Sequence, residues 1–169
     1  MALQSKMTVY AAIVGMLALM GGIVYWGSLD IPEIETTEIE LQSVEVIQVN
    51  TVENTVKLQV SLLVKNPGKK TFTVPIISYE LYANGKHIGV GSYSTVDIAM
   101  PGRAIFSPGA EIPLKNFLDL ARTEANSDVY QMIVDGDSIQ YRVEGNITIE
   151  TAWALIEKDF QSSLLSSSI

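Results

Sequence analysis

Two patterns of apolar and polar positions divide this chain. An uninterrupted run of 20 residues without a charged side chain extends from Met7 to Trp26. The hydrocarbon core of a bilayer, roughly 30 Å thick, needs about 20 apolar residues in a helix. The run therefore predicts a single transmembrane helix over residues 7–27, preceded by a short terminus of residues 1–6.

After this run, apolar and polar residues alternate, most clearly at residues 55–64 and 139–150. A period of two predicts strands with one buried and one solvated face, which is typical of antiparallel sheets. The pair Asn84-Gly85 predicts a two-residue hairpin turn, because both positions of a type I′ turn require positive φ. Weaker strands are predicted at residues 41–49, 78–83, 86–93, 95–100 and 110–114.

One helical crossover is predicted between the strands. Phe117, Leu120 and Ala121 lie at the helical spacing i, i+3, i+4. Ser127 is the expected cap of a further turn that ends at Gly136. About seven short strands and this crossover predict an all-β domain in which two antiparallel sheets form a β-sandwich.

The predicted boundaries follow from charge and composition. Residues 28–38 form an acidic stalk, residues 39–160 the β-sandwich domain, and residues 161–169 a serine-rich tail. The course of the chain after Glu150 stays open. Its apolar residues fit a last helical turn, a continuation of the final strand, or a segment packed under the stalk; they are Trp153, Ile156 and Phe160.

Charge near the helix predicts its orientation. Lys6 and the amino terminus precede the run, and the next basic residue is Lys57. The positive-inside rule then places the N-terminus in the cytoplasm and the domain outside a cell membrane crossed once. The alternative is a cleavable signal peptide, whose apolar region is about 7–15 residues long. The longer run favours an uncleaved signal anchor.

Small residues share one face of the predicted helix, which would permit close approach of a second helix. The alternative is that glycine and alanine are common in any spanning helix. The residues of this candidate packing face are Ala11, Gly15, Ala18 and Gly22.

Composition excludes several chemistries. The chain has no cysteine and one histidine, His87, so thiol nucleophiles, cysteine-ligated metals and multi-histidine sites are excluded. A net charge of −8 argues against binding nucleic acid. No nucleophile elbow, phosphate-binding loop or zinc-protease motif occurs. We therefore expect no catalytic residue, cofactor or metal, and no enzyme. Asn146-Ile147-Thr148 is a candidate N-glycosylation sequon.

Several motifs are dispersed along the predicted strands. The alternating strand leads into Asn66-Pro67, and a Tyr79-x-Leu81 strand and a late strand containing Gly145 follow. Together these motifs resemble the late embryogenesis abundant group 2 family, also called the WHy (water stress and hypersensitive response) domain. Gly68 stands where that family often has asparagine. From the residues alone, Asn66-Pro67 predicts the exit of a strand, because proline forces extended geometry on the residue before it.

The resemblance implies an immunoglobulin- or fibronectin-III-like sandwich, no catalysis, and a protective role in desiccation or other stress. The helix is similar to that of membrane-anchored members, and the missing cysteines fit an archaeal or bacterial origin. The expected partners are a bilayer around residues 7–26 and other membrane or surface proteins. The alternative function is a structural or accessory subunit of a membrane complex or surface filament.

Overall fold

The computed structural model describes residues 2–28, 34–95 and 104–166, and only the backbone of residues 2–5. A long N-terminal helix precedes a strand-rich region, which we call the β-domain (residues 34–166). In chain order the elements are α1 (Ala2–Ser28), β1 (Glu38–Asn50), β2 (Thr55–Lys65), β3 (Phe72–Ala83), β4 (Lys86–Ser94), β5 (Ile105–Phe106), β6 (Glu111–Ala121), α2 (Ser127–Asp135), β7 (Ile139–Glu150) and β8 (Leu155–Ser166).

The strands form two antiparallel sheets, as the alternation predicts. One has the order β1-β2-β6, and the other has the order β4-β3-β7-β8, with β5 beside β3. Apolar residues from the buried faces of both sheets make one continuous core. In β2 and β7 the alternate residues are almost fully buried; they include Val56, Leu58, Val60, Tyr141, Val143 and Ile147.

The edges of the two sheets also meet. The start of β1 lies along β8, where the Leu41 N–H donates to Ser162 Oγ at 2.9 Å. At the opposite edge, β4 lies beside β6. Ile34, just before β1, is 1% exposed within the core. The chain is therefore fixed to the β-domain before its first strand begins.

The predicted hairpin is confirmed. Asn84 and Gly85 connect β3 and β4 with φ values of 48° and 80°, both in the left-handed region. The predicted first strand is extended at both ends to Glu38 and Asn50. In the strand predicted at residues 95–100, Thr95 lies in a turn and the rest falls outside the described residues.

The helix predicted around Phe117 is wrong. Residues 111–121 are strand β6, which pairs with β2 along its whole length. Phe117 faces solvent whereas Leu118 and Leu120 enter the core. In the strand, Phe117 and Ala121 are exposed on one face and Leu120 is buried on the other. Their i, i+3, i+4 spacing therefore does not mark one buried helical face.

The second helical prediction is correct in position. Helix α2 ends at Gly136, whose φ of 75° gives the left-handed C-cap. Its N-cap is Asn126 rather than Ser127, and the Asn126 side chain bonds the preceding connection instead of the helix. Asn126 Oδ1 accepts from the Thr123 N–H at 2.7 Å, and Nδ2 donates to the Ala121 carbonyl at 3.0 Å.

The structure shows neither a last helical turn nor a continuation of the final strand after Glu150, because the chain reverses at residues 151–154. Residues 155–166 form β8, which pairs with β7 along its length. Residues 161–166 therefore belong to a sheet rather than to a serine-rich tail. In the segment predicted as a stalk, Ser28 ends α1, residues 29–33 lie outside the described residues, and Thr37 is buried before β1 begins.

Candidate functional site

The motif residue Asn66 lies where β2 ends and is 2% exposed. Its N–H donates to the carbonyl of Ala110 at 2.9 Å, and its carbonyl accepts from the Gly109 N–H at 2.8 Å. The segments before β3 and before β6 are thereby held together. Pro67 follows outside any strand, as expected of a residue that cannot donate to a ladder.

The Asn66 side chain closes the same loop. Its Nδ2 donates to the carbonyls of Lys70 and Phe106, both at 2.8 Å, and its Oδ1 accepts from the Gly68 N–H at 3.1 Å. Both Nδ2 protons and Oδ1 are used within the protein. Asn66 is thus a structural clamp, in agreement with its interpretation as a strand exit. Gly68 joins the clamp through its backbone, so asparagine is not required there for this contact.

Tyr79 and Gly145 are brought together in the second sheet. Tyr79 pairs with Gly145 on one side and Gly91 on the other. A Cβ added to Gly91 would lie 2.2 Å from the Tyr79 ring, and one added to Gly145 would lie 2.1 Å from the Ser78 carbonyl oxygen. A side chain at either position would therefore collide with the Tyr79 ring or with the backbone of Ser78.

Tyr79 also connects the two sheets, through a partner that the sequence analysis missed. Asn116 of β6 donates from Nδ2 to Tyr79 Oη at 3.2 Å. Burial raises the pKa of Tyr79, and the Asn116 hydrogen bond opposes that rise. The available signal was the position of Asn116, a polar residue at an inward position between Leu114 and Leu118.

The outer face of the second sheet carries a broad depression of about 760 Å³ that crosses β3, β4, β7 and β8. Asn146 is exposed in this depression, within a strand paired on both sides. Its glycosylation stays a prediction. We call this surface the outer face; its acidic residues include Glu80, Glu144, Glu157 and Asp159.

Some outer-face acids already have partners. Tyr82 Oη donates to Glu80 Oε2 at 2.6 Å, and this bond is the main reason why the pKa of Tyr82 is raised. Arg142 Nη2 lies 3.0 Å from Glu144 Oε1, and the guanidinium is 4.9 Å from the Tyr82 ring centroid. His87 Nε2 lies 3.9 Å from Glu80 Oε2. The arrangement is a solvated network of charges on an open surface.

Metal ligation has no geometric support in residues 2–28, 34–95 and 104–166. No group of three or more histidine, cysteine, aspartate or glutamate side chains is placed there to hold an ion. The outer-face acids are spread along strands instead of converging on one point. What such a surface can do chemically is retain water and repel other acidic surfaces.

The candidate helix-packing face lies on α1. A Cβ added to Gly15 or Gly22 would meet no atom within 4 Å, so both positions are open. Ala11 and Ala18 are exposed on the same helix. In the described part of the chain, α1 is the one helix long and apolar enough to cross a membrane, and a signal sequence has the same properties. Packing of a second helix on this face stays a prediction.

Comparison with known proteins gives distant structural likenesses. No protein-family model matches the chain, and no curated protein does. A crystal structure of an Archaeoglobus fulgidus protein is 19% identical over 77% of this chain and 98% of that chain, with a TM-score of 0.42.

Two solution structures are similarly distant. An Arabidopsis thaliana protein is 14% identical over 78% of this chain and 83% of that chain, with a TM-score of 0.46. A candidate late embryogenesis abundant protein is 17% identical over 96% and 89% of the two chains, with a TM-score of 0.45. At these identities and TM-scores the similarity assigns neither a family nor a function.

Proposed function

We propose that this chain is a membrane-anchored, non-enzymatic WHy-type domain that protects neighbouring proteins or membrane when water is withdrawn. One observation carries the proposal: the dispersed motif residues occupy distinct structural positions in one β-domain. Asn66 clamps the loops at one end, and Tyr79 and Gly145 pack together inside the second sheet. In this proposal the two sheets form an immunoglobulin- or fibronectin-III-like sandwich.

The anchoring step rests on α1. Lys6–Ser28 is long and apolar enough to span a bilayer, and its described side chains are not buried against the β-domain as those of a core helix would be. We propose that the helix is retained as a signal anchor, with its N-terminus cytoplasmic and the β-domain outside. Tyr25 and Trp26 then lie at the outer interface, where aromatic side chains are enriched.

The protective step rests on the outer face. Glu157 and Asp159 are exposed on β8, and the chain carries a net charge of −8. Carboxylates hold water strongly, and like-charged surfaces repel each other. A domain with this surface, anchored at a bilayer, would keep neighbouring proteins separated and hydrated as the bulk water is lost.

Drying tests this function directly. The full-length chain in lipid vesicles is dried and rehydrated with a labile soluble enzyme, and the recovered enzyme activity is compared with that from empty vesicles. We expect higher recovery with the chain present. Equal recovery in both samples would overturn the protective role.

A matched pair of variants tests whether the outer face carries the protection. Glu157→Gln with Asp159→Asn neutralises two acids on this face, and Glu45→Gln with Glu111→Gln removes the same charge from the other sheet. The first pair should protect less than the second. Equal loss would assign protection to total charge instead of to this surface.

The absence of cysteine permits a clean test of topology. Ser92 is exposed on β4, so Ser92→Cys introduces a single accessible thiol. A membrane-impermeant maleimide should label this variant on intact cells, and mass spectrometry should find α1 still attached. Labelling only after lysis, or a mass lacking α1, would contradict the anchored topology.

The second candidate function is a structural or accessory subunit of a membrane complex or filament, favoured by the open Gly15 and Gly22 positions on α1. Gly15→Leu would block close approach of another helix. If this candidate is correct, the native mass in mild detergent exceeds that of one chain and falls in the variant. A single-chain mass in both would exclude it.

A further inference from the structure

The β-domain is held close to the end of α1. Five residues separate Ser28 from Ile34, and a chain of this length spans no more than about 20 Å even when fully extended. Ile34 is buried, and Lys158 Nζ of β8 donates to the carbonyl oxygens of Glu35 and Thr37. The end of the β-domain from which β1 starts therefore stays near the end of α1.

The turn between β7 and β8 lies at this same end. β8 starts beside the start of β1, because Lys158 bonds to Thr37 and Ser162 bonds to Leu41. The turn is closed by Thr151, whose N–H donates to the Ala154 carbonyl at 2.8 Å.

The turn is a defined structure that presents an indole outward. Thr151 Oγ1 accepts from the N–H groups of Ala154 at 3.0 Å and Trp153 at 3.3 Å. Trp153 at its tip is 71% exposed, and the neighbouring Leu155 is 65% exposed. A hydrogen-bonded turn thus keeps two large apolar side chains exposed on the surface of the β-domain.

Trp153 lies against the last turns of α1. A Cβ added to Gly27 would be 3.8 Å from Trp153 Cβ. The indole also borders an apolar cleft whose other walls are Leu19, Gly22, Ile23 and Trp26. Trp153 is therefore level with the C-terminal part of the apolar helix. An indole has an apolar body and one N–H donor, which suits the boundary between headgroups and acyl chains.

A basic side chain is present at this end of an otherwise acidic protein. Lys69 is exposed in the loop that follows β2, and the last residue of β2 pairs with the first residue of β1. In a chain anchored through α1, an ammonium group at this end would lie near the lipid headgroups, and attraction to anionic lipid contributes about 1 kcal/mol per basic residue near the surface.

We propose that Trp153 is a second, interfacial membrane anchor, and that Lys69 contacts the phosphates of anionic lipid headgroups beside it. The inference rests on the proposed anchoring through α1. Its consequence is orientation: α1 holds the chain in the bilayer, whereas the Trp153 turn fixes the β-domain against the bilayer surface and leaves the opposite end free.

Tryptophan quenching tests the proposal, because the chain has two tryptophans, Trp26 and Trp153. The full-length Trp26→Phe variant reports Trp153 alone, and Trp153→Phe reports Trp26 alone. Each is placed in phosphatidylcholine and phosphatidylglycerol vesicles whose acyl chains are brominated near the headgroup. We expect about a twofold loss of emission for both tryptophans, relative to unbrominated lipid.

The outcomes separate the two proposals. Quenching of Trp26 without quenching of Trp153 overturns the second anchor and leaves the anchoring helix standing. Quenching of neither overturns the anchoring itself.

The lysine contact is tested in the Trp26→Phe background. Lys69→Glu should reduce Trp153 quenching in vesicles that contain phosphatidylglycerol, whereas Lys115→Glu, an exposed change on β6, should not. Equal effects of the two changes overturn the role of Lys69.

Discussion

The side-chain amide of Asn116 donates to the hydroxyl of Tyr79 at 3.2 Å and joins the two sheets through their shared core. Tyr79 is 1% exposed, so its hydroxyl has little access to water. A buried polar pair is costly to break on one side only, because the remaining group loses its partner. The contact therefore favours one alignment of β3 against β6.

Tyr79→Phe should lower the free energy of unfolding by about 1–2 kcal/mol, because Asn116 would keep a donor without its acceptor. Asn116→Ala should have a similar effect, and the double variant should cost less than the sum of the two. Urea unfolding of the full-length chain in mild detergent measures these values. Tyr93→Phe is the control, and strict additivity would show that the two groups do not interact.

Asn66→Ala should be among the most destabilising single changes outside the apolar core. It removes three side-chain hydrogen bonds and leaves the carbonyls of Lys70 and Phe106 without this donor. We expect a loss of about 2–4 kcal/mol in the same unfolding measurement. Asn146→Ala, at an exposed position, should change stability by less than about 0.5 kcal/mol. Comparable losses in both variants would contradict the clamp.

Gly145→Ala should destabilise the chain far more than Gly89→Ala. At Gly145 the new Cβ would meet the Ser78 carbonyl oxygen at 2.1 Å and Tyr79 Cα at 2.7 Å, which are backbone atoms that move only if the sheet distorts. At Gly89 it would meet the tip of Leu118 at 3.0 Å, and that side chain can rotate. We expect about 3 kcal/mol against about 1 kcal/mol. Equal losses would mean that the sheet accommodates a side chain at Gly145.

The fold was predictable where one physical pattern acted alone. In β2 and β7, burial of one face produces the alternation directly, and the hairpin at Asn84-Gly85 follows from positive φ. In β6 two effects overlap: Phe117 is exposed with Lys57 Nζ 6.0 Å from its ring centroid, and Asn116 occupies an inward position. The exposed Phe117 and the inward Asn116 obscure the alternation of apolar and polar residues in β6. The apolar residues of this segment therefore match helical spacing better than strand spacing.

The segment after Glu150 shows a different limit. β8 is an edge strand whose inward side chains are only half-buried, and they include Lys158 and Ser162. These polar residues are inward because Lys158 bonds the turn before β1 and Ser162 bonds the Leu41 N–H. Such partners are more than 100 positions away in the chain, so local pattern cannot reveal them. The Trp153 turn was equally hidden, since its significance depends on which end of the β-domain faces α1.

Strong alkali should unfold the chain partly through Tyr141. Burial raises the pKa of Tyr141 from about 10 to about 12. Because the folded chain holds this proton more tightly than the unfolded chain, the contribution to stability is complete below pH 10. It is lost as the pH rises from 10 to 12, by at most about 2–3 kcal/mol.

Tyr141→Phe should flatten this decline, although Tyr79, whose pKa is also raised by burial, continues to contribute. Urea unfolding at a series of pH values from 9 to 12, together with the ultraviolet absorbance of ionised tyrosine, measures both effects. Identical pH dependence in the wild-type chain and the Tyr141→Phe variant would show that Tyr141 ionises equally readily in the folded and unfolded states.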